Sequence, residues 1–531
     1  MEGPKLLLEL DRVAGSVVES AIVRHHRRRL RKLGWSRALE PDGHALWAGG
    51  EPSPRPGNQL DVLVDGAEAF PAIAEAIAGA REYVHLAGWH VAPGFALTRC
   101  EPMVVLGTLL AEMAERVDVR VLVWAGSPLP VFHPTRSEVA DAVETLTRRT
   151  RIRCKPDPRE HPIHCHHEKI VIVDGRVAFV GGIDITDQGG DRYDSSEHPS
   201  RRRLAWHDVS TRLQGPAVAD VDRHFAMRWA EVTGERIDAA DPPAEAGPTT
   251  VQVVRTVAED MYDAVPHGEF RILESYLRAL RSAQSFVYLE NQFLWSPEIV
   301  DVLSDKLRNP PSDRFRLVLL LPAKANNGQD DTRGQLAALV EADAGHRRLL
   351  AATIRAHTGS RDDPLYVHAK VGIVDDRWLT VGSANLNAHS LLNDTEMERR
   401  DRRRRARSPG AHATVGRAPR GRCAGHRRRE HRGDGRRALE ADRRRAARAL
   451  PVGRGRHASA AWAARRLAAL AAAPRAARRP RRRLLAGGYS ATQTAPAPCG
   501  SLRTGWETTA VTVCLGGSRL GRRAEVSRLT W

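Results

Sequence analysis

The sequence predicts an α/β protein built from two related halves, and three observations carry that expectation. Strand-like and helix-like segments alternate along the chain. The alternation restarts after a Pro/Ala/Glu/Gly-rich stretch at 238–248. One short pattern of histidine, lysine and aspartate occurs once in each half, in matching surroundings.

The first half reads in order as a strand at 60–64, a helix at 69–80, a strand at 83–87, a helix at 105–116 and a strand at 119–124. Strands separated by helical stretches of 10–15 residues indicate layered α/β packing. The second half repeats the grammar with a helix at 268–283, a strand at 286–289, a helix at 297–307 and an apolar strand at 316–321 closed by Pro322. The expected divisions are a helical, basic segment at 1–54, a first domain at 55–245, a second at 246–398, and an Arg/Ala-rich tail at 399–531.

The repeated pattern is His-x-Lys-x4-Asp. It comprises His167, Lys169 and Asp174, then His368, Lys370 and Asp375. Each copy continues as an apolar run and reaches Gly181-Gly182 or Gly382-Ser383 seven residues after its aspartate. Both read as a strand, a tight turn and a returning strand, with the histidine and lysine two apart on one face, ~6–7 Å from each other. A histidine and a charged lysine on a buried strand are costly to desolvate unless an anion meets them. Phosphate is the natural candidate. Two lysines can neutralise nonbridging oxygens, one imidazole can attack phosphorus, and the other can protonate the leaving alkoxide near neutral pH. Asp184 and Asn385 stand at equivalent offsets as further polar groups. The scheme calls for no cofactor and no metal.

Composition narrows the substrate. The chain carries a formal charge of +18, yet 399–531 holds 35 Arg, no Lys and 7 acidic residues, a net of +28, so 1–398 is at −10. An acidic body disfavours a nucleic-acid groove, whose affinity rests on basic contacts. No apolar run reaches the ~18 residues of a membrane span, and the start lacks the apolar core of a secretory signal. Cysteines without framework spacing fit a reducing cytoplasm.

With these residues in view, the sequence resembles the phospholipase D superfamily, whose paired motifs surround one active site. The resemblance covers roughly 55–397 and extends to DGAEAFPAIAEAIAGAREYVHLAGW (65–89), DRYD (191–194), WHDV and QGPAV (within 206–218), YLENQF (288–293) and SLLNDTE (390–396). It implies two α/β/α sandwich domains about a pseudo-twofold axis and a phosphohistidine intermediate. His167 is then the nucleophile and His368 the general acid, although the reverse assignment serves the same chemistry. The resemblance also implies phosphate binding by Lys169, Lys370, Ser383 and Asn385, with Gly182 and Asp184 at the matching places. Asp194 and Glu396, 27 and 28 residues beyond their histidines, are expected to orient the imidazoles across the axis, and Asp174 and Asp375 to anchor the turns. The implied reaction is hydrolysis or head-group exchange of glycerophospholipids to phosphatidic acid, by a cytoplasmic monomer peripheral at a membrane surface. The alternatives are a cardiolipin synthase-like phosphatidyltransferase, a metal-independent nuclease and a non-catalytic binding protein.

Five segments have rival readings. His161, His164, His166, His167 and Cys165 could hold zinc, although no partner set with familiar spacing appears elsewhere. The basic cluster at 25–32 reads as a solvated helix face, or else as a patch for anionic surfaces. Trp206 and His207 read as packing behind the site, and Glu290-Asn291-Gln292 as a strand end that lines the pocket or makes local hydrogen bonds. The tail reads as a reading-frame change in a GC-rich gene, with disorder or Ala/Arg helix around 460–473, or as a basic binding segment.

Overall fold

The structure, a computed structural model, describes residues 20–402 except 22, 42–44, 99–100, 130–131, 161–163, 187–204, 325–328, 359–360 and 395, together with 527–528. Asp194, His161 and nearly all of the tail lie outside the described residues.

In the first half the strands are β1 (Arg55–Val64), β2 (Tyr83–Gly88), β3 (Asp118–Trp124), β4 (Arg153–Asp157), β5 (Ile170–Val173), β6 (Val177–Gly181), β7 (Ala205–His207) and β8 (Val209–Gln214). In the second they are β9 (Thr249–Val257), β10 (Glu269–Phe270), β11 (Phe286–Glu290), β12 (Arg316–Leu320), β13 (Leu349–Thr353), β14 (Arg355–Thr358), β15 (Arg361–Val367), β16 (Val371–Val374), β17 (Trp378–Gly382) and β18 (Glu396–Arg402).

Duplication is written into the sheet. The first half runs β4-β3-β2-β5-β6-β8-β1 and the second β13-β12-β11-β16-β17-β18-β9, and antiparallel pairing of β1 with β9 joins them into one sheet. The strand directions match as well. β2-β3-β4 and β11-β12-β13 are parallel, whereas β2 pairs antiparallel with β5 and β11 with β16. Parallel neighbours need crossovers, and helices Leu106–Ala114, Arg136–Thr147, Pro297–Arg308 and Gln329–Asp343 supply them. The expected helix at 268–283 begins later, at Arg271, because Glu269 and Phe270 first pair with the end of β9. β18 runs four residues past the expected boundary at 398, since its ladder with β9 continues to Arg402 opposite Thr250.

In the first half, Asp65–Ala78, Leu106–Ala114 and Arg136–Thr147 cover one face and Val218–Thr233 covers the other, over Ile170, Ile172, Ala178, Val180 and Leu213. The second half packs Arg271–Ser282 and Pro297–Arg308 on one face. Its opposite face, with Val371, Leu379 and Val381, meets Leu60, Val62 and Val209 of the first half. No described helix after β18 takes the place that Val218–Thr233 holds after β8. The described part of the N-terminal basic segment is not merely solvated. Arg29 donates to Glu259, to Asn393 Oδ1 at 2.7 Å and to the Leu392 carbonyl, while Leu30 is buried in the second core. No helix among the described residues is long and apolar enough to cross a membrane.

A buried ionic network ties Val218–Thr233 to the first motif. Arg228 donates to Asp157 Oδ2 at 2.6 Å and to Glu168, which also meets His224 Nε2 at 2.6 Å. Burial opposes ionisation of Glu168, but Arg228 and His224 outweigh it and hold its pKa down at about 2. Such a depressed carboxylate stabilises the fold fully above its ordinary value near 4.5 and loses that contribution as pH falls toward 2. The thermal midpoint should therefore drop steeply over that interval, and Glu168→Gln should flatten that part of the profile; an unchanged profile would rule out this role.

Candidate active site

Both histidine–lysine pairs precede their strands rather than lying on them, since β5 starts at Ile170 and β16 at Val371. Each lysine still turns to its histidine's side: Lys169 Nζ donates to the His167 carbonyl and Lys370 Nζ to that of His368. The antiparallel partners of β5 and β16 are β2 and β11, so the pairs emerge beside the C-terminal ends of those two central strands.

The aspartates of the pattern hold that arrangement at its other end. Asp174 accepts from the backbone N–H groups of Arg81, Glu82 and Tyr83, and Asp375 from those of Gln284, Ser285 and Phe286. Each carboxylate thus fastens its hairpin turn to the start of the adjacent central strand. Both residues adopt positive φ, near 52° and 51°, a backbone shape that aspartate tolerates better than most side chains.

The two imidazoles meet at the seam, with ring centroids 6.3 Å apart. His167 Nδ1 lies 3.1 Å from Glu396 Oε1 and 3.1 Å from the Ser383 carbonyl, both in the second half. His368 Nδ1 lies 2.6 Å from Asp208 Oδ2, in the first half. A carbonyl only accepts, so His167 Nδ1 carries the proton and Nε2 bears the lone pair. Each half therefore orients the histidine of the other. Trp206 packs over the His368 ring at 4.4 Å, and Trp89, stacked on Trp124, stands edge-on to His167 at 6.3 Å.

Two family models match, one in each half: Phospholipase D over residues 76–205, and Cardiolipin synthase, PLD-like domain, over residues 276–403. The chain belongs to the phospholipase D superfamily. Phospholipase D A of Dictyostelium discoideum is 25% identical over 416 residues, covering 64% of this chain and 32% of that protein. Phospholipase D alpha 4 of Arabidopsis thaliana is 25% identical over 468 residues, with 64% and 61% covered. The chain thus spans about a third to three fifths of the length of these two relatives. Among solved structures, phosphatidylserine synthase of Haemophilus influenzae Rd KW20 aligns over 65% of this chain and 82% of its own, at 13% identity and a TM-score of 0.45.

Several expectations drawn from the superfamily change on contact with the geometry. Among the described residues the carboxylate against His368 is Asp208, in the WHDV stretch; Asp194, expected in that role, lies outside them. Asp208 and Glu396 stand at equivalent places in the topology: Glu396 opens β18 and Asp208 immediately precedes the matching strand β8. Ser383 is fully buried and its hydroxyl donates to Glu396, so it supports the carboxylate at His167 rather than facing a phosphate. Gly182 likewise leaves room for protein and not ligand, because a Cβ there would stand 2.2 Å from Asp208 Oδ1. Gly182→Ala should pull Asp208 off His368 and cut turnover by about 10²-fold or more with the fold retained. Wild-type rates from a folded variant would show that Asp208 does not matter there.

Lys169 forms an ion pair with Asp184 at 3.4 Å, whereas the residue at the matching offset from Lys370 is the neutral Asn385. The zinc group suggested by the sequence is split. His166 meets Asp157 and Tyr262, His167 serves the site, and Cys165 offers its backbone N–H to Asp394. His207, expected as packing, bridges the halves instead, with Asp65 on Nδ1 at 2.9 Å and Glu290 on Nε2 at 3.1 Å. Burial opposes its charge, but the two carboxylates outweigh burial and keep its pKa well above 6.5. The rest of the strand end after β11 makes local bonds: Asn291 Oδ1 accepts from Phe293 and Leu386, and Gln292 donates to Tyr366.

Proposed function

We propose that this chain is a phosphodiesterase of the phospholipase D type that transfers a phosphatidyl group through a phosphohistidine. One observation carries the reading: two imidazoles face each other across the seam, each with Nδ1 held by a carboxylate or carbonyl of the opposite half, and each followed by a buried lysine. Held at Nδ1, each ring presents Nε2 to the reaction. His167 Nε2 attacks phosphorus, the N–P bond forms, and the bond from phosphorus to the head-group oxygen breaks as His368 gives that oxygen its proton. Water then enters, His368 takes its proton, and the N–P bond breaks to release phosphatidic acid. Lys169 and Lys370 offset the charge that builds on the nonbridging oxygens, and Asp184 and Asn385 complete the polar lining.

Glycerophospholipids are the substrate class, at the surface of a membrane. A cardiolipin synthase-like transfer, in which a lipid hydroxyl replaces water, is the second reading, and the description of the family model over residues 276–403 favours it. Vesicles of mixed phospholipids, with and without added primary alcohol or phosphatidylglycerol, separate the outcomes. Free head group with phosphatidic acid supports hydrolysis, and cardiolipin supports transfer between lipids. Release of nucleotides from DNA with no lipid turnover would overturn both.

A further inference from the structure

Beside this site, three side chains that the phosphoryl chemistry leaves unused converge from both halves. His164 Nδ1 lies 3.3 Å from Asp394 Oδ1 and 3.1 Å from His389 Nδ1, and the three ligand-type atoms all fall within 4.8 Å of one another. Four bonds of ~2.0–2.1 Å at tetrahedral angles set ligand atoms ~3.3–3.4 Å apart, so two of these contacts are near the spacing a zinc-sized ion imposes. Hydrogen bonding alone serves the group poorly. A single proton on His164 Nδ1 would have to be shared between a carboxylate and a second ring nitrogen, and protonating both rings would set two N–H groups against each other.

We propose that His164, His389 and Asp394 bind a divalent transition-metal cation of the Zn²⁺ class, which clasps the two halves of the chain together. Imidazole and carboxylate donors suit such an ion, and three protein ligands leave a further position for water. Backbone hydrogen bonds hold the trio in place. The Cys165 N–H donates to Asp394 Oδ1 at 3.1 Å, and the backbone N–H groups of Asn393 and Asp394 both reach the His389 carbonyl at 2.8 Å. Trp295 stands edge-on to the His389 ring, and Arg29 fixes Asn393 from outside. Asp394 lies two residues before Glu396, and His164 three before His167. The ion would thus join the two segments that bring His167 and Glu396 together. The proposal does not depend on the phosphodiesterase reading.

The test uses the full chain, stripped with a chelator and titrated with Zn²⁺ against a chromophoric competitor, alongside His164→Gln, His389→Gln and Asp394→Asn. Exposed histidines elsewhere on a chain hold zinc weakly, so the readout is the difference between wild type and variants. Wild type should bind one equivalent more than each variant, or bind it at least about 100-fold more tightly, with no displacement by Ca²⁺ or Mg²⁺. Co²⁺ in its place should give the visible absorption of a four-coordinate site, and Zn²⁺ should raise the thermal midpoint of wild type alone. Two of the three variants need only fold, as judged by circular dichroism, for the comparison to stand. Equal stoichiometry, affinity and Co²⁺ spectra in wild type and folded variants would overturn the proposal, as would a wild type that takes up no Zn²⁺.

Discussion

His167→Ala and His368→Ala should each lower head-group release from phospholipid vesicles by about 10³-fold or more, and the double variant should be little worse than either single one. The ring centroids are 6.3 Å apart and each Nδ1 is engaged, which suits the proposed action of the two rings on one phosphorus from opposite sides. Removing the nucleophile or the proton donor stops the same step, and losses within one unit do not add. The singles differ in what they accumulate. With a labelled phosphatidyl group, quenched His368→Ala should retain label on the protein, because attack can proceed slowly when the leaving group departs unassisted, whereas His167→Ala should retain none. Label on His167→Ala alone would reverse the two roles. Wild-type turnover in both would dismiss the site. Asp208→Asn belongs to the same test: an amide donates to His368 Nδ1 as readily as it accepts, so the tautomer is no longer fixed, and a loss of about 10²-fold or more is expected.

Arg228→Met should destabilise the fold by about 3–5 kcal/mol, the cost of removing one partner from a buried ionic group. Arg228 is 1% exposed and serves both Asp157 and Glu168, neither of which reaches solvent. The variant leaves two buried carboxylates without their guanidinium, beside His166, His224, the Tyr262 hydroxyl and the Arg159 backbone N–H. Chemical denaturation at pH 7 measures the loss directly. Replacing Asp157 and Glu168 with apolar residues in the Arg228→Met background should recover much of it, because a buried ion pair and a well-packed apolar cluster are often of similar stability. A loss below about 1 kcal/mol would mean that water reaches the network.

Local patterns made the fold readable. The strands at 83–88, 118–124, 286–290 and 316–320 are apolar runs between helices of ordinary length, and the sequence places them to within a residue or two. The paired motifs were equally legible, because the chemistry requires histidine and lysine at fixed short spacing. Long-range pairing left no such trace. Asp208 and Glu396 stand at different distances from their own motifs, and each meets the histidine of the other half, so linear spacing gives no pointer to Asp208. The burial of Ser383 beneath Glu396, and the closeness of Gly182 to Asp208, come from the antiparallel pairing of β6 with β8 and of β17 with β18. The trio of His164, His389 and Asp394 was hidden for a related reason, since its members are 230 positions apart in the chain at the widest.

The reciprocal loan of carboxylates has a consequence for how the two halves can change over generations. A half that lost its own histidine would still be needed for the carboxylate it gives away, so neither copy is free to decay while the other continues alone. Nor can part of one copy be overwritten by the other through recombination without penalty. Gly182 with Asp208 and Ser383 with Glu396 are matched in length as pairs, and copying only one member of a pair would misfit the histidine across the seam. The copies are thereby bound to diverge together, each under selection for chemistry performed by a side chain it does not carry.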